Sequence, residues 1–387
     1  MQSIDNCPSL LGEMVRFDTV NTAISNKPDA ERELALYLES QAQQLGLQTQ
    51  QLLVEGNSFN LLVTHTIAEN APWLLFESHL DTVSVEGMTI DPFEGRIEND
   101  RLYGRGACDT KGTGAAMLWA LKKYREENNG PNNIGIVYTV DEEVSKTGAR
   151  AFVQSQLPTL NWKPAGVIVG EPTQLQLVGA HNGVARWAIQ THGIAAHSSD
   201  PSQGQSAISM MAKVIDAIES HYIPSVTTTH PLTGKAQCSI NIIQGGVQIN
   251  IIPEHCEIHI DRRVVPGENP EDVIPAVEKI LEQLRSENPD LNVTQQTPSM
   301  LDAPLDPSIG QSFAKNLQSS LSQLNLPNEI QGVGYGTDAS TFSHAGIPAV
   351  VLGPGDIAQA HTADEWIDLH QLEQGVEVYH QLMHAPL

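Results

Sequence analysis

"IGIVYTVDEE", residues 134–143, is a short apolar run that ends on three consecutive acids, Asp141, Glu142 and Glu143. Seven residues rich in β-branched and aromatic side chains have the length of a buried strand rather than of a helix. Acids at its end stand where open α/β sheets carry their sites, just beyond the C-terminal ends of the strands. The same three acids also suit a solvated turn ahead of a helix, whose N-terminus favours negative charge. Choosing between the two depends on what the rest of the chain brings to that level.

The pattern recurs on both sides. "NLLVTHT" (60–66), "WLLFESHLD" (73–81) and "AGVIVGEPT" (165–173) are further short apolar runs, and "DAERELALYLESQAQQLG" (29–46) and "GTGAAMLWALKKYREENNG" (112–130) have helical spacing and close on glycine. From about residue 298 the style returns, with a helix over 308–325, a strand in "IPAVVLGPG" (347–355) and a closing amphipathic helix. Strands alternating with helices predict an α/β layer structure.

The middle of the chain reads differently. A strand in "RWAIQTHG" (186–193) precedes the helix "GQSAISMMAKVIDAIESH" (204–221), two strands within "CSINIIQGGVQINIIPEHCEIHIDRRV" (238–264), the helix "PEDVIPAVEKILEQLRSEN" (270–288) and the strand "LNVTQQT" (291–297). That β-α-β-β-α-β order predicts a ferredoxin-like insert. The domains are therefore placed at 1–179 with 296–387, and at 180–295 for the insert.

Composition removes several classes of function. A chain of 387 residues with 40% apolar residues can bury a sizeable core, and its formal net charge of −25 opposes nucleic acid and anionic membrane as partners. The four cysteines, Cys7, Cys108, Cys238 and Cys256, form no CxxC pair and suit free thiols in a reducing compartment. The first twenty residues lack a basic region followed by an apolar core, and no apolar run reaches the roughly 18 residues of a spanning helix. A soluble cytoplasmic protein is expected.

Five residues with metal-ligand chemistry fall at strand ends or in the loops after strands: His79, Asp109, Glu143, Glu171 and His361. His79 and Asp81, two apart on a strand, face one side, and a carboxylate beside an imidazole can fix its tautomer. The loop "LYGRGACDTKGTGAAM" carries Asp109, and it fits neither a Walker loop nor a dinucleotide fingerprint. No GxSxG elbow is present. Two imidazoles and three carboxylates suit zinc or a neighbouring divalent metal, and two ions sharing a bridging carboxylate would use all five. Taken singly, each of these residues is more often a structural loop residue.

The ordered series "ESHLDTV", "GRGACDTKG", "DEEVSKTGAR", "VGEPT", "AHSSDPSQGQSAI", "DRRVVPGE", "GTDAS" and "GPGDIAQAH" spans nearly the whole chain. It resembles the metallopeptidase family that includes acetylornithine deacetylase, succinyl-diaminopimelate desuccinylase, aminoacylase and glutamate carboxypeptidase. The resemblance implies two zinc ions per subunit, replaceable by cobalt, with His79 and Glu171 on one, Glu143 and His361 on the other, and Asp109 bridging. It further implies that Asp81 orients His79 and that Glu142 is the general base. The insert becomes a lid and dimerisation domain whose His197 reaches the partner's site and stabilises the oxyanion. Arg263 and Asn250 lie in stretches that relatives use near the substrate carboxylate. "GEPTQLQLV" and "GPGDIAQAH" are most similar to the acetylornithine deacetylase branch, which implies N2-acetyl-L-ornithine as substrate and a step of arginine biosynthesis. One departure is Asn182, where basic residues are common. Desuccinylase, other N-acyl amino acid deacylase, small metallo-carboxypeptidase and a non-catalytic dimeric binding protein are the competing readings.

Overall fold

The apolar runs form the centre of an eight-stranded sheet. In the computed structural model, which describes residues 4–324 and 326–387, strand Asn133–Thr139 lies beside Trp73–His79, then Pro164–Val169, then Ala349–Val351, and these neighbours run parallel. Every residue of Asn133–Thr139 is buried, as a parallel sheet covered on both faces requires. Ser58–His65 and Gln48–Glu55 extend one side antiparallel, and Val178–His181 and Gln331–Val333 extend the other. The sequence pattern misses Gln48–Glu55. As an edge strand it buries only Leu52, so it has no apolar run to announce it.

Helix Lys111–Glu127 covers the sheet through Met117, Leu118, Leu121 and Tyr124, and helix Leu369–Met383 packs beside it through Tyr379, Leu382 and Met383. The first of these helices stops at Asn128 in the left-handed conformation, two residues before the glycine that the sequence offers as its stop. Three short strands, Arg96–Glu98, Arg101–Tyr103 and Trp366–Asp368, form a separate antiparallel sheet. Arg101 stacks on Trp366 there, with its guanidinium 3.6 Å from the ring centroid. This small sheet ties the segment ahead of the last helix to the start of the glycine-rich loop.

The chain divides into two compact units: Met1–Gly179 with Asp306–Gly332 and Thr337–Leu387, and Ala180–Leu305 with Val333–Gly336. In the second unit the antiparallel strands lie in the order Gln237–Gly245, His255–Val264, Gly183–His192, Val293–Gln295. Counted along the chain this is 2-3-1-4, the order of a β-α-β-β-α-β unit. A boundary at 295 falls short of the observed one. Met300–Asp302 pairs with the first half of Gly183–His192, Leu301 opposite Ala185, and holds residues up to Leu305 in the second unit. Three residues are too few for the alternation that marks a strand in sequence. Among the described residues no helix is long and apolar enough to cross a membrane.

A Cβ placed on Gly112 would lie 2.5 Å from the carbonyl oxygen of Ala107. Alanine normally stabilises a helix relative to glycine by about 1 kcal/mol, but a backbone oxygen cannot give way here. Gly112→Ala is therefore expected to lower stability by about 1–3 kcal/mol. The check is chemical denaturation, where the midpoint falls at unchanged slope.

Candidate metal centre

The parallel strands end on one level, and each delivers a polar group there. His79 closes strand Trp73–His79, Asp141–Glu143 follow Asn133–Thr139, and Glu171 follows Pro164–Val169. His361 lies in the loop after Ala349–Val351, and Asp109 in the loop entering helix Lys111–Glu127. Asp109 faces an imidazole with each oxygen: Oδ1 is 3.2 Å from His79 Nε2 and Oδ2 is 3.2 Å from His361 Nε2. Glu143 Oε1 lies 3.2 Å from His361 Nε2. The ligand atoms of His79, Asp109 and Glu143 are within 4.8 Å of one another, as are those of His79, Glu142 and Glu171. All five ligand-type residues and Glu142 thus meet at one place in the first unit.

Crowded acids in a buried place perturb one another. Burial pushes the Glu143 carboxyl up to about 7, helped by the charge of Asp109 and opposed by its hydrogen bond to His361. Burial raises Glu142, while Lys146, with its Nζ 3.6 Å from Glu142 Oε1, pulls the other way. Burial together with the Asp109 charge holds Glu171 well above the usual range. For Asp109 burial also acts upward, but hydrogen bonds from His361 and His79 outweigh it and hold this carboxylate ionised. His79 would be lowered by burial, yet its bonds to Asp109 and Asp81 raise it well above 6.5. Hydrogen bonds to Asp109 and Glu143 lift His361 to about 10. An acid-rich set with two imidazole nitrogens at this spacing has the donor chemistry of a divalent metal site.

Asp81 anchors the surroundings. Its carboxylate accepts from the backbone N–H of Glu142 (3.0 Å) and of Glu143 (3.1 Å) and from the Asn21 amide (2.8 Å). His79 Nδ1 lies 3.1 Å from the Asp81 carbonyl oxygen and 3.4 Å from its Oδ1. One acid therefore sets both the imidazole and the turn that carries the adjacent glutamates. Asp141, for which the sequence suggests no role, is part of that turn. It adopts φ +64°, and its carboxylate accepts from Asn21 and from Thr147 Oγ1 at 2.8 and 2.7 Å.

The glycine-rich loop has its own anchor. Glu365 accepts from the backbone N–H groups of Gly106, Cys108 and Asp109, and pairs with Arg105 at 2.8 Å. Both partners are almost fully buried, with side chains 3% and 1% exposed. Lys111 is buried as well and donates to the Phe17 carbonyl at 2.8 Å; burial lowers its ammonium to about 7. The Asp109–Thr110 peptide is cis. Asn21, Arg105, Lys111 and Glu365 were not singled out by the sequence. An arginine set between glycines in this loop is the one available signal, since it needs a counter-charge if the loop is buried. Cys108 Sγ points at the Asp356 carbonyl, 3.3 Å away, and lies outside the cluster of ligand-type groups.

The remaining expected site residues lie in the second unit. His197 pairs with Ile251 across two short strands, is exposed, and has Nδ1 2.7 Å from Ser199 Oγ. The Asn250 carbonyl accepts from the Ser198 N–H, so it neighbours His197. Arg263 sits on strand His255–Val264 with its Nε 2.7 Å from Asp261 Oδ1.

Residues 75–385 match the family model described as peptidase family M20/M25/M40. The acetylornithine deacetylase of Pectobacterium carotovorum subsp. carotovorum is 32% identical over 339 residues, 85% of this chain and 83% of that protein. The acetylornithine deacetylase of Proteus mirabilis is 31% identical over 389 residues, 97% of this chain and 93% of that protein. Among solved structures, an M20 family metallo-carboxypeptidase from Sulfolobus solfataricus shares the fold, with TM-score 0.79, 19% identity and coverage of 98% and 99% of the two chains.

Glu365→Gln keeps the shape of the loop anchor and leaves the Arg105 charge buried without its counter-ion. The expected loss is about 3–5 kcal/mol, read by chemical denaturation in the presence of a chelator so that metal affinity does not enter.

Proposed function

We propose that this chain, which belongs to peptidase family M20/M25/M40 and is a metal-dependent hydrolase of amide bonds, removes the acyl group from N-acyl-L-amino acids. N2-acetyl-L-ornithine is the favoured substrate, giving ornithine and acetate in the cytoplasm. The observation that carries the chemistry is Asp109 set between two imidazoles with the half-buried Glu142 beside them. The two relatives described above, both named acetylornithine deacetylase, support the choice of substrate.

His79 and Glu171 would hold one ion, Glu143 and His361 the other, and Asp109 both; the donor set suits zinc, with cobalt as a substitute. When bound, such a pair supplies Lewis acidity for the amide carbonyl and for water. Glu142, kept out of bulk solvent beside Lys146, takes the proton of the attacking water and later gives it to the departing amine nitrogen. Asp81 fixes the imidazole of His79 and the backbone of Glu142 together, so the base and a ligand keep one relative position. His197 is assigned to the oxyanion in the partner's site, and Arg263 and Asn250 to the substrate carboxylate. Strand Gln237–Gly245 closes one side of the second unit's sheet and exposes Ile242 and Ile243. This unpaired apolar edge supports a homodimer formed through the second unit.

Hydrolysis of a panel containing N-acetyl amino acids, N-succinyl-diaminopimelate and dipeptides, with added zinc or cobalt, tests the substrate. Turnover of N2-acetyl-L-ornithine below that of the other classes would overturn the assignment. Glu142→Gln is expected to retain its metal by elemental analysis while kcat falls about 10²–10⁴-fold.

Metal uptake should depend on pH with a definite sign. His361, at about 10, carries a proton at neutral pH and Glu143, at about 7, is then about half protonated, and each must lose its proton to become a ligand. Zinc affinity is therefore expected to rise from pH 6 to pH 9, with protons released on binding. Calorimetry in buffers of differing ionisation enthalpy reads both quantities.

A further inference from the structure

We propose that Glu127, His380 and His384 form a further site for a divalent transition-metal ion. It lies at the other end of helix Lys111–Glu127 from the catalytic cluster, about 24 Å away at 1.5 Å per residue. His380 and His384 are four apart at the end of helix Leu369–Met383 and so share one face. Glu127 is the last residue of the helix packed beside it. Its Oε1 lies 3.0 Å from His380 Nε2 and its Oε2 lies 3.1 Å from His384 Nε2, and one ligand atom from each residue falls within 4.8 Å of the others. The edges of a tetrahedron around zinc, with bonds near 2.0–2.1 Å, measure about 3.3 Å.

A simple charge network does not account for all of this geometry. His380 Nε2 is buried and, although 3.0 Å from a carboxylate oxygen, has no partner in hydrogen-bond alignment. The site is also held rigidly. The His384 ring packs edge-on against Tyr124, 4.8 Å between centroids, and Tyr124 is locked by hydrogen bonds to Asn132 O and N. The Asn132 amide in turn holds the carbonyls of Met383 and Ala385 at 2.9 and 2.8 Å. Two helices end at this place, and their C-terminal partial charges favour a cation. The nearby Lys123 is engaged by Glu377 at 2.5 Å.

Two imidazole nitrogens and one carboxylate select a borderline ion such as Zn²⁺, Ni²⁺ or Cu²⁺ over Mg²⁺ or Ca²⁺. The Glu127 side chain is 42% exposed, which leaves room for water as a further ligand. An ion there would clip the last helix to its neighbour and stabilise the folded chain by mass action. None of the catalytic cluster residues takes part, so this site stands or falls separately from the proposed reaction.

The test is Zn²⁺ titration of chelator-treated full-length protein, comparing wild type with His380→Gln/His384→Gln, Glu127→Gln and His384→Gln. Wild type should hold one more zinc per chain than the double variant, and zinc should raise its melting temperature further. Each single variant should weaken the additional ion at least 10–100-fold, the loss that even outer partners of a ligand cause. If the double variant does not fold in chelator, the more exposed His384→Gln decides alone. Equal zinc stoichiometry and equal affinities in wild type and variants would overturn the site.

Discussion

Carboxylates brought together out of water repel one another, and holding them in place is the constraint around which the first unit is built. Asp109, Glu142, Glu143 and Glu171 stand at one buried end of the sheet with two imidazoles among them. Asp109 relieves part of the repulsion because each of its oxygens faces an imidazole. The rest falls to the scaffold. Asp81 uses its carboxylate on two backbone N–H groups of the Glu142–Glu143 turn, so the adjacent glutamates are fixed through their main chain while their side chains remain available.

That division explains why consecutive glutamates are tolerated after an apolar strand. Neighbouring side chains leave the turn in different directions, and the turn itself is closed by Asp141 in a left-handed conformation that aspartate accepts more readily than most residues. Three acids in a row therefore do three things: one shapes the backbone, one lies beside His361, and one lies beside His79 and Glu171.

The central strands were legible because burial on both faces leaves uninterrupted apolar runs, as in Asn133–Thr139. The polar residue after each run was legible for the same reason. The edge strand Gln48–Glu55 and the strand Met300–Asp302 were not, since one is mostly wet and the other too short to show a period. Within the site, the ligand-type residues could be picked out, while their supports could not. Asn21 reaches Asp81 across 60 positions and Arg105 reaches Glu365 across 260, and no local spacing encodes such a pairing. In a chain with 46 acidic residues, Glu365 looks like ordinary surface charge.

The Glu365 anchor also bears on the order in which the molecule can be completed during synthesis. Chains emerge from the N-terminus and fold in units as they appear. The second unit is finished once Val333–Gly336 has emerged, and much of the large sheet is available by then. The loop carrying Asp109 must still wait for Glu365 to satisfy its buried N–H groups and its arginine. His361 arrives only four residues earlier. A nascent chain therefore carries most of its fold before the loop of Asp109 has its anchor and before His361 can join the cluster.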